Sequence, residues 1–196
     1  MACSYDRLVD AYLVDRGGVD HSGWLARFMD ALPPGGKVLD LGCGAGVPVA
    51  RTLVDRGFDV AGVDLSPGQI ERARELVPEA TFQVGDMTKA EFAAESFDGI
   101  CAFYSIIHVP RERHAAIMKN VARWLRPEGK ALLVFGADDW EGREPYLDGV
   151  EMFWSHYGID RNRALLAEAG LSELDSSIVP DPPGAHWFVL LGRPAK

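Results

Sequence analysis

Three glycines at alternate positions follow an apolar run that contains an acidic residue. Residues 38–41 are typical of a buried strand and include Asp40, and the glycines that follow are Gly42, Gly44 and Gly46. Glycine lets the backbone turn sharply and approach a ligand closely, and the helix that comes next points its first N–H groups at that ligand. The segment therefore predicts a nucleotide-binding turn.

The spacing of the glycines separates this turn from two common nucleotide sites. A dinucleotide fingerprint would have its third glycine where Val47 stands, and a phosphate-binding loop would end in Lys-Ser or Lys-Thr. The carboxylate of Asp40 would repel a phosphate but attract an ammonium group, directly or through water. The turn therefore favours a cationic nucleoside ligand that carries an amino-acid moiety.

Two further apolar runs also end in an acid. Residues 58–64 end at Asp64, about twenty residues after the glycine turn, where a ribose-binding carboxylate belongs in an architecture of this kind. The alternative for Asp64 is a turn or helix-capping role before Ser66. Residues 81–87 form a third strand candidate that ends in Asp86 and Met87.

These segments together resemble the class I S-adenosylmethionine-dependent methyltransferases, whose first motif, V-L-D-x-G-x-G-x-G, is matched by residues 38–46. The resemblance continues through a fourth strand at 97–103 and a turn and fifth strand at 125–135. It implies that Asp64 binds the ribose, that Asp86 holds the adenine amine and that Met87 packs on the ring. The cofactor contacts that it implies are Tyr12, Asp40, Gly42, Gly44, Gly46, Asp64, Leu65, Asp86, Met87 and Phe103.

Strand-like runs alternate with amphipathic segments, which indicates an α/β fold with helices on both faces of a parallel sheet. We predict helices at 47–56, 67–76, 111–124 and 160–169. Strand candidates at 174–179 and 187–191 are joined by a turn that is too short for a parallel connection. The resemblance implies a single domain over 1–196 with one doubly wound Rossmann-like sheet, ordered 3-2-1-4-5-7-6, in which strand 7 is antiparallel.

Two segments lie outside this core and are expected on the substrate side, because ligands bind beyond the carboxyl ends of such strands. Residues 1–32 have the apolar spacing of a packing helix, and the resemblance adds a lid role in which Tyr5 or, by preference, Tyr12 contacts the cofactor. Residues 137–158 concentrate aromatic side chains. They form either the wall of a small-molecule pocket or a patch that covers the sheet edge or joins a dimer.

Methyl transfer requires mainly that the acceptor be aligned and water excluded. A hydroxyl or protonated amine acceptor also needs a general base, and the pKa of histidine suits that role near neutral pH. His108, just after the fourth strand, is the first candidate because the family places acceptor-side residues there. His156, among the aromatic residues of 137–158, is the second. A packed or capping histidine is the alternative for both.

The chain has 29 acidic and 20 basic residues and a net charge of −9, which opposes binding to nucleic acid. It shows no long apolar run and no signal-peptide pattern, so we expect a cytoplasmic protein without a membrane partner. The three cysteines lack paired spacing, so we expect neither a metal site nor a disulfide.

These observations predict an enzyme that transfers a methyl group from S-adenosylmethionine to an oxygen or nitrogen of a small-molecule metabolite, with S-adenosylhomocysteine as the product. The expected assembly is a monomer or a homodimer. Two alternatives are kept: a protein of this fold that binds the cofactor for a non-methylating task, and an NAD-dependent oxidoreductase.

Overall fold

The computed structural model describes residues 22–181 and 184–195. The strands are β1 Lys37–Leu41, β2 Asp59–Asp64, β3 Thr81–Val84, β4 Phe97–Ala102, β5 Leu125–Gly136, β6 Trp140–Pro145, β7 Glu151–His156, β8 Ser172–Asp181 and β9 Gly184–Gly192. The helices are α1 Ser22–Asp30, α2 Val49–Asp55, α3 Pro67–Leu76, α4 His114–Trp124 and α5 Ile159–Glu168. Short 3-10 turns lie at Ile106–His108, Arg111–Arg113 and Leu147–Gly149.

Seven strands form one sheet in the order β3-β2-β1-β4-β5-β9-β8. Strands β3, β2, β1, β4 and β5 are parallel to one another. Strand β9 is antiparallel to both β5 and β8. The predicted sixth and seventh strands correspond to β8 and β9, so the predicted order is confirmed, including the antiparallel insertion. The short connection between β8 and β9 allows no other pairing.

Side chains of the central strands alternate between two cores, one on each face of the sheet. Val38 of β1 packs with Phe28 and Ile70, in a core built with α1, α2 and α3. Leu39 packs on the opposite face with Trp124 and Leu165, in a core built with α4 and α5. Both faces of β1 are covered, and its Val38, Leu39 and Leu41 are fully buried, as expected for a strand inside a parallel sheet.

The predicted bounds of a helix are accurate where a neighbouring residue in the sequence caps it. Helix α3 has the predicted bounds, and its N-cap hydroxyl, Ser66 Oγ, accepts from Gln69 N at 3.1 Å. The helix predicted at 47–56 is shorter, because Pro48 occupies its N-cap position. The helix predicted at 111–124 begins with a tight 3-10 turn and becomes α-helical only at His114.

Residues 137–158 contain a hairpin that the sequence did not predict. Strands β6 and β7 form a separate two-stranded antiparallel sheet in which Trp140 pairs with His156 and Pro145 pairs with Glu151. Most side chains of β6 are exposed. Within the part of the chain described above, no helix has the length and apolar character needed to cross a membrane.

Candidate cofactor and acceptor site

A cavity of about 390 Å³ opens at the carboxyl ends of β1, β2, β3 and β4. Its lining residues form two walls. The glycine wall consists of lining residues between 42 and 89, which follow β1, β2 and β3, and the β4 wall consists of lining residues between 103 and 113. A cavity in this place is expected, because ligands of open parallel sheets bind beyond the carboxyl ends of the strands.

The glycine turn forms the edge of the glycine wall. Gly42 has φ +76°, and a Cβ there would lie 2.2 Å from Ser105 Cβ, so no larger residue fits. Gly42 and Gly44, two of the predicted cofactor contacts, line the cavity. Gly46 is not among the lining residues; a Cβ there would lie 3.1 Å from the side chains of Phe82 and Val77, so it serves packing instead.

Asp64 holds the glycine turn and helix α3 together. Its Oδ2 accepts from Gly44 N at 2.9 Å, and its Oδ1 accepts from Ser66 N at 2.9 Å. The side chain thus has the turn-capping role of the alternative interpretation, while it also lines the cavity. Leu65, 40% exposed, lines the cavity beside it.

Asp40 lies beneath the glycine turn and is not among the cavity-lining residues. It is only 2% exposed, and no described group bonds its Oδ2. Burial raises the pKa of Asp40 to about 7; the hydrogen bond with the Cys101 thiol opposes this rise, and the charge of Asp64 adds to it. A cation bound above the turn would favour the ionised form of this carboxyl. Asp40 could therefore act on a bound cation through its charge, without direct contact.

Asp86 and Met87, for which contacts with the adenine are predicted, both line the cavity. Asp86 Oδ1 accepts from Thr88 N at 2.9 Å and from Thr88 Oγ1 at 2.7 Å, which fixes the carboxylate at the end of β3. Lys89 Nζ lies 3.8 Å from Asp86 Oδ2. The carboxylate is therefore oriented before any ligand arrives.

The β4 wall begins with Phe103, a predicted cofactor contact, which lines the cavity. Tyr104 follows with φ +50°, a left-handed conformation that costs a non-glycine residue about 1–3 kcal/mol. Ser105 Oγ donates to Leu41 O at 2.6 Å and so joins the end of β4 to the end of β1. This bond places Ser105 against Gly42 and brings the two walls together.

His108 lies on the β4 wall, where the sequence placed the candidate base. It is 5% exposed, and its Nδ1 lies 2.8 Å from Phe153 O. Because a carbonyl oxygen can only accept, we assign the proton to Nδ1, which makes Nε2 the accepting nitrogen of the neutral ring. The Trp154 ring packs 4.4 Å from the imidazole centre. Strand β7 therefore sets both the tautomer and the orientation of His108.

A second set of contacts fastens the hairpin to the β4 wall. Arg111 N donates to Ser155 Oγ at 2.9 Å, and Ser155 Oγ donates to Glu141 Oε2 at 2.7 Å. The Arg111 guanidinium lies 3.5 Å from both Glu141 and Asp139. None of the described lining residues belongs to 137–158. The hairpin acts on the cavity through His108 rather than by forming its wall.

The second histidine candidate lies away from the cavity. His156 is not among the lining residues; its Nδ1 lies 2.6 Å from Asp138 O, and its ring packs against Gly136. Burial lowers the pKa of His156. Tyr12 and Tyr5 lie outside the described residues. No three His, Cys, Asp or Glu side chains within those residues cluster as metal ligands would.

Comparison with known proteins agrees with this geometry. The model of one protein family, described as a methyltransferase domain, matches residues 38–129. The 2-methyl-6-phytyl-1,4-hydroquinone methyltransferase of Synechocystis is 38% identical over 119 residues, which are 59% of this chain and 36% of the relative. Phosphoethanolamine N-methyltransferase 3 of Arabidopsis thaliana is 34% identical over 133 residues, 66% of this chain and 26% of the relative.

A solved SAM-dependent methyltransferase of Methanosarcina mazei has the same fold, with a TM-score of 0.77 at 18% identity over 91% of this chain and 100% of that one. Residues 38–129, slightly less than half of the chain, thus match a methyltransferase domain, and the fold is that of an S-adenosylmethionine-dependent methyltransferase. The chain spans only about a third and a quarter of the length of the two curated relatives. The family match covers both walls of the cavity, from β1 to the start of β5.

The residues of the glycine wall fit S-adenosylmethionine, the cofactor of this family. The clearest sign is Gln69, which lines the cavity, is 1% exposed and has no described hydrogen-bond partner for either Oε1 or Nε2. In a Ser-x-x-Gln capping box the glutamine would accept from the serine N–H. Here Asp64 takes that bond from Ser66, so a buried amide remains for a polar ligand.

Ten of the described lining residues were not predicted, and among them are Gln69, Tyr104, Ser105 and Arg113. The Ser66-x-x-Gln69 spacing could have marked Gln69 as part of a helix start beside the turn. Tyr104 and Ser105 have no comparable signal, because their positions depend on the path of the chain after β4. Arg113 could not be distinguished from Arg111 by residue type or spacing.

Proposed function

We propose that this chain transfers the methyl group of S-adenosylmethionine to an oxygen or nitrogen of a small-molecule metabolite. The observation that carries the proposal is the pairing of the two walls in one cavity. The glycine wall has two oriented carboxylates, Asp64 and Asp86, and the β4 wall has a histidine whose accepting nitrogen is Nε2. Cofactor and acceptor would then share one enclosed space.

On the glycine wall, each fixed group has a role in binding. Asp64 accepts hydrogen bonds from the ribose hydroxyls, and Asp86 accepts one from the adenine amine. Met87 and Leu65 cover apolar surface of the nucleoside, and Asp40 favours the positive charge of the cofactor from below. The bound cofactor supplies a methyl group already activated on a sulfonium, so positioning accounts for most of the acceleration.

On the β4 wall, His108 removes the proton that the acceptor must lose. Its Nε2 takes that proton while Nδ1 keeps its bond to Phe153 O, which stabilises the imidazolium that forms. Phe103 and Trp154 exclude water from the two sides of this region. His156, bonded to Asp138 O away from the cavity lining, has no place in this scheme.

A small acceptor agrees with the size and charge of the molecule. The cavity volume, about 390 Å³, lies in the range of small-molecule sites, about 300–1,000 Å³. The net charge of −9 opposes a polyanionic acceptor. We also propose a single methyltransferase domain, since one seven-stranded sheet includes both β1 and β9, the first and last strands of the described residues.

Calorimetric titration tests the cofactor first. We expect S-adenosylmethionine and S-adenosylhomocysteine to bind and NAD not to bind. A screen of metabolite acceptors that measures S-adenosylhomocysteine release then tests the reaction. Binding of NAD alone would overturn the proposal, and cofactor binding without turnover on any acceptor would indicate a non-methylating task.

A further inference from the structure

Arg113 differs from every other arginine in the described part of the chain. Its guanidinium makes no hydrogen bond, ion pair or ring contact, although it lines the cavity. Each of the other described arginines contacts an acid, a backbone carbonyl or an aromatic ring. Arg74, for example, donates to Phe82 O. Arg123 and Arg143 lie over the rings of Trp124 and Phe153.

Arg111, two residues away, has several partners, so its place in the chain does not explain why the Arg113 guanidinium has none. Arg111 bonds Ser155, Asp139 and Glu141 and stacks 5.3 Å from the Tyr157 ring, so its role is to hold the hairpin. The backbone of Arg113 is equally well fixed, since its N–H donates to Pro110 O at 2.8 Å. The backbone of Arg113 is thus fixed, while its guanidinium makes no contact and lies at the exposed mouth of the β4 wall.

The charges around the cavity make Arg113 available to a ligand. Asp64 bonds Gly44 and Ser66, and Asp86 bonds Thr88, so both acids of the glycine wall are held away from it. Among the described lining residues, the only other cation is Lys89, which lies 3.8 Å from Asp86. In a protein with a net charge of −9, an anion would be repelled from the cavity unless a local cation attracted it.

We propose that the methyl acceptor carries an anionic group, a carboxylate or a phosphate, that Arg113 binds at the mouth of the cavity. The planar guanidinium fork matches both groups with two parallel hydrogen bonds. Arg113 follows His108 on the β4 wall, so the anion would fix one end of the acceptor while the reacting atom lies near Nε2. This inference rests on the proposed function and defines its substrate class.

Three phenols that differ in one substituent test the charge requirement. We would measure binding of 4-hydroxybenzoate, 4-hydroxyphenyl phosphate and neutral 4-hydroxybenzamide to protein saturated with S-adenosylhomocysteine, using ligand-observed NMR. The two anions should bind about tenfold more tightly than the amide, as expected for a charge-assisted bond. The carboxylate and phosphate arms show which anion the site prefers. Arg113→Gln should remove the preference, whereas Arg123→Gln, which removes an equal charge outside the cavity, should keep it.

Equal binding of the amide, an unchanged preference in Arg113→Gln, or no binding by any of the three would overturn the inference. The proposed function fails separately. If anions bind through Arg113 but no acceptor yields S-adenosylhomocysteine, the anion subsite stands without methyl transfer. If anionic and neutral acceptors are methylated equally well, and Arg113→Gln changes neither rate, methyl transfer stands without the anion subsite.

Discussion

The two walls of the cavity are held in place by contacts of different range. In the glycine wall, backbone groups at neighbouring strand ends meet each other and the carboxylate of Asp64, which bonds Gly44 twenty residues away. In the β4 wall, His108 is oriented by Phe153, forty-five residues away in the hairpin, and Arg111 is fixed by Ser155. The first wall depends on the sheet and helix α3, and the second depends in addition on a separate hairpin packed beside it.

The fold requires the contacts of the glycine wall, whereas the support of the β4 wall can vary. Any replacement of the hairpin would change the support of His108 and leave the bond between Gly44 and Asp64 intact. We therefore expect substitutions in the β4 wall to alter turnover, and substitutions in the glycine wall to alter cofactor affinity or stability.

The largest effect is expected for His108→Asn, which tests the β4 wall. Asparagine can keep a donor to Phe153 O but has no counterpart of Nε2, so the support remains while the base is lost. Turnover should fall about 10²- to 10⁴-fold, the usual contribution of a general base, while the dissociation constant for S-adenosylmethionine stays the same. Steady-state kinetics and calorimetry measure the two effects. Turnover equal to the wild type would remove His108 from catalysis.

Gly42→Ala tests whether backbone geometry holds the glycine wall. The new Cβ would overlap Ser105, and alanine is strained at φ +76°. The free energy of unfolding in urea should fall by about 3–5 kcal/mol, from the two effects together. Gly170→Ala is the matched control, since φ is +83° there but nothing lies within 4 Å; about 1 kcal/mol is expected for strain alone. Equal losses for both variants would show that the contact with Ser105 is unimportant.

Asp40→Asn tests the buried charge below the glycine wall. The native pKa of about 7 lies above the ordinary value, so the folded protein retains a proton that the unfolded chain releases. Stability of the free protein should therefore fall as the pH rises from about 4 to about 7 and then level off. At pH 8 the variant should be more stable than the wild type by about 2–4 kcal/mol yet bind S-adenosylmethionine more weakly.

Urea unfolding at pH 5, 6, 7 and 8 measures the pH dependence of Asp40→Asn, with the exposed Asp59→Asn as the control. If the stability difference between Asp40→Asn and the wild type did not change across this range, Asp40 would not titrate as proposed.

Ser155→Ala tests whether the β4 wall depends on the hairpin. The substitution removes the acceptor of Arg111 N and the donor to Glu141, and a buried unsatisfied N–H costs about 1–3 kcal/mol. Turnover should fall while the affinity for S-adenosylhomocysteine stays within about twofold, because no glycine-wall contact changes. Ser177→Ala, on the exposed face of β8, is the control. A drop in cofactor affinity without loss of turnover would reverse the assignment of the two walls.

Gln69→Met should produce the smallest effect. Stability should stay the same or rise slightly, whereas cofactor affinity should fall. Replacing an unpartnered buried amide with an apolar side chain of similar shape should leave the free protein as stable or slightly more stable. Cofactor affinity should fall about 2- to 12-fold, the loss of one neutral hydrogen bond. Thermal unfolding with and without S-adenosylhomocysteine shows both effects, and unchanged affinity would exclude Gln69 from the site.

The sequence predicted the sheet order and most of the glycine wall because these features depend on short segments. Asp64 and Asp86 end apolar strands, and those strand ends must meet at one edge of a parallel sheet. The bounds of α3 followed from Ser66 and Pro67 at its start. Gly46 was assigned to ligand contact because residue type alone does not separate a glycine that lines a cavity from one that permits packing.

The parts that escaped prediction depend on distant contacts. The hairpin of β6 and β7 has no clear alternation of apolar and polar residues, since β6 is exposed almost throughout. The pocket position of His108 and the packed position of His156 could not be told apart by residue type. The difference between Arg111 and Arg113 appears only when the acids of the hairpin are placed around one of them.

The exposed hairpin also gives the site a part that can open by itself. Few buried apolar side chains belong to β6 and β7, and polar bonds fasten them to the rest, so their local opening should need less energy than that of the central strands. Amide hydrogens of β6 and β7 should therefore exchange with solvent faster than those of β1 and β4. Each opening would release His108 Nδ1 from Phe153 O and disarm the base while the cofactor stays bound.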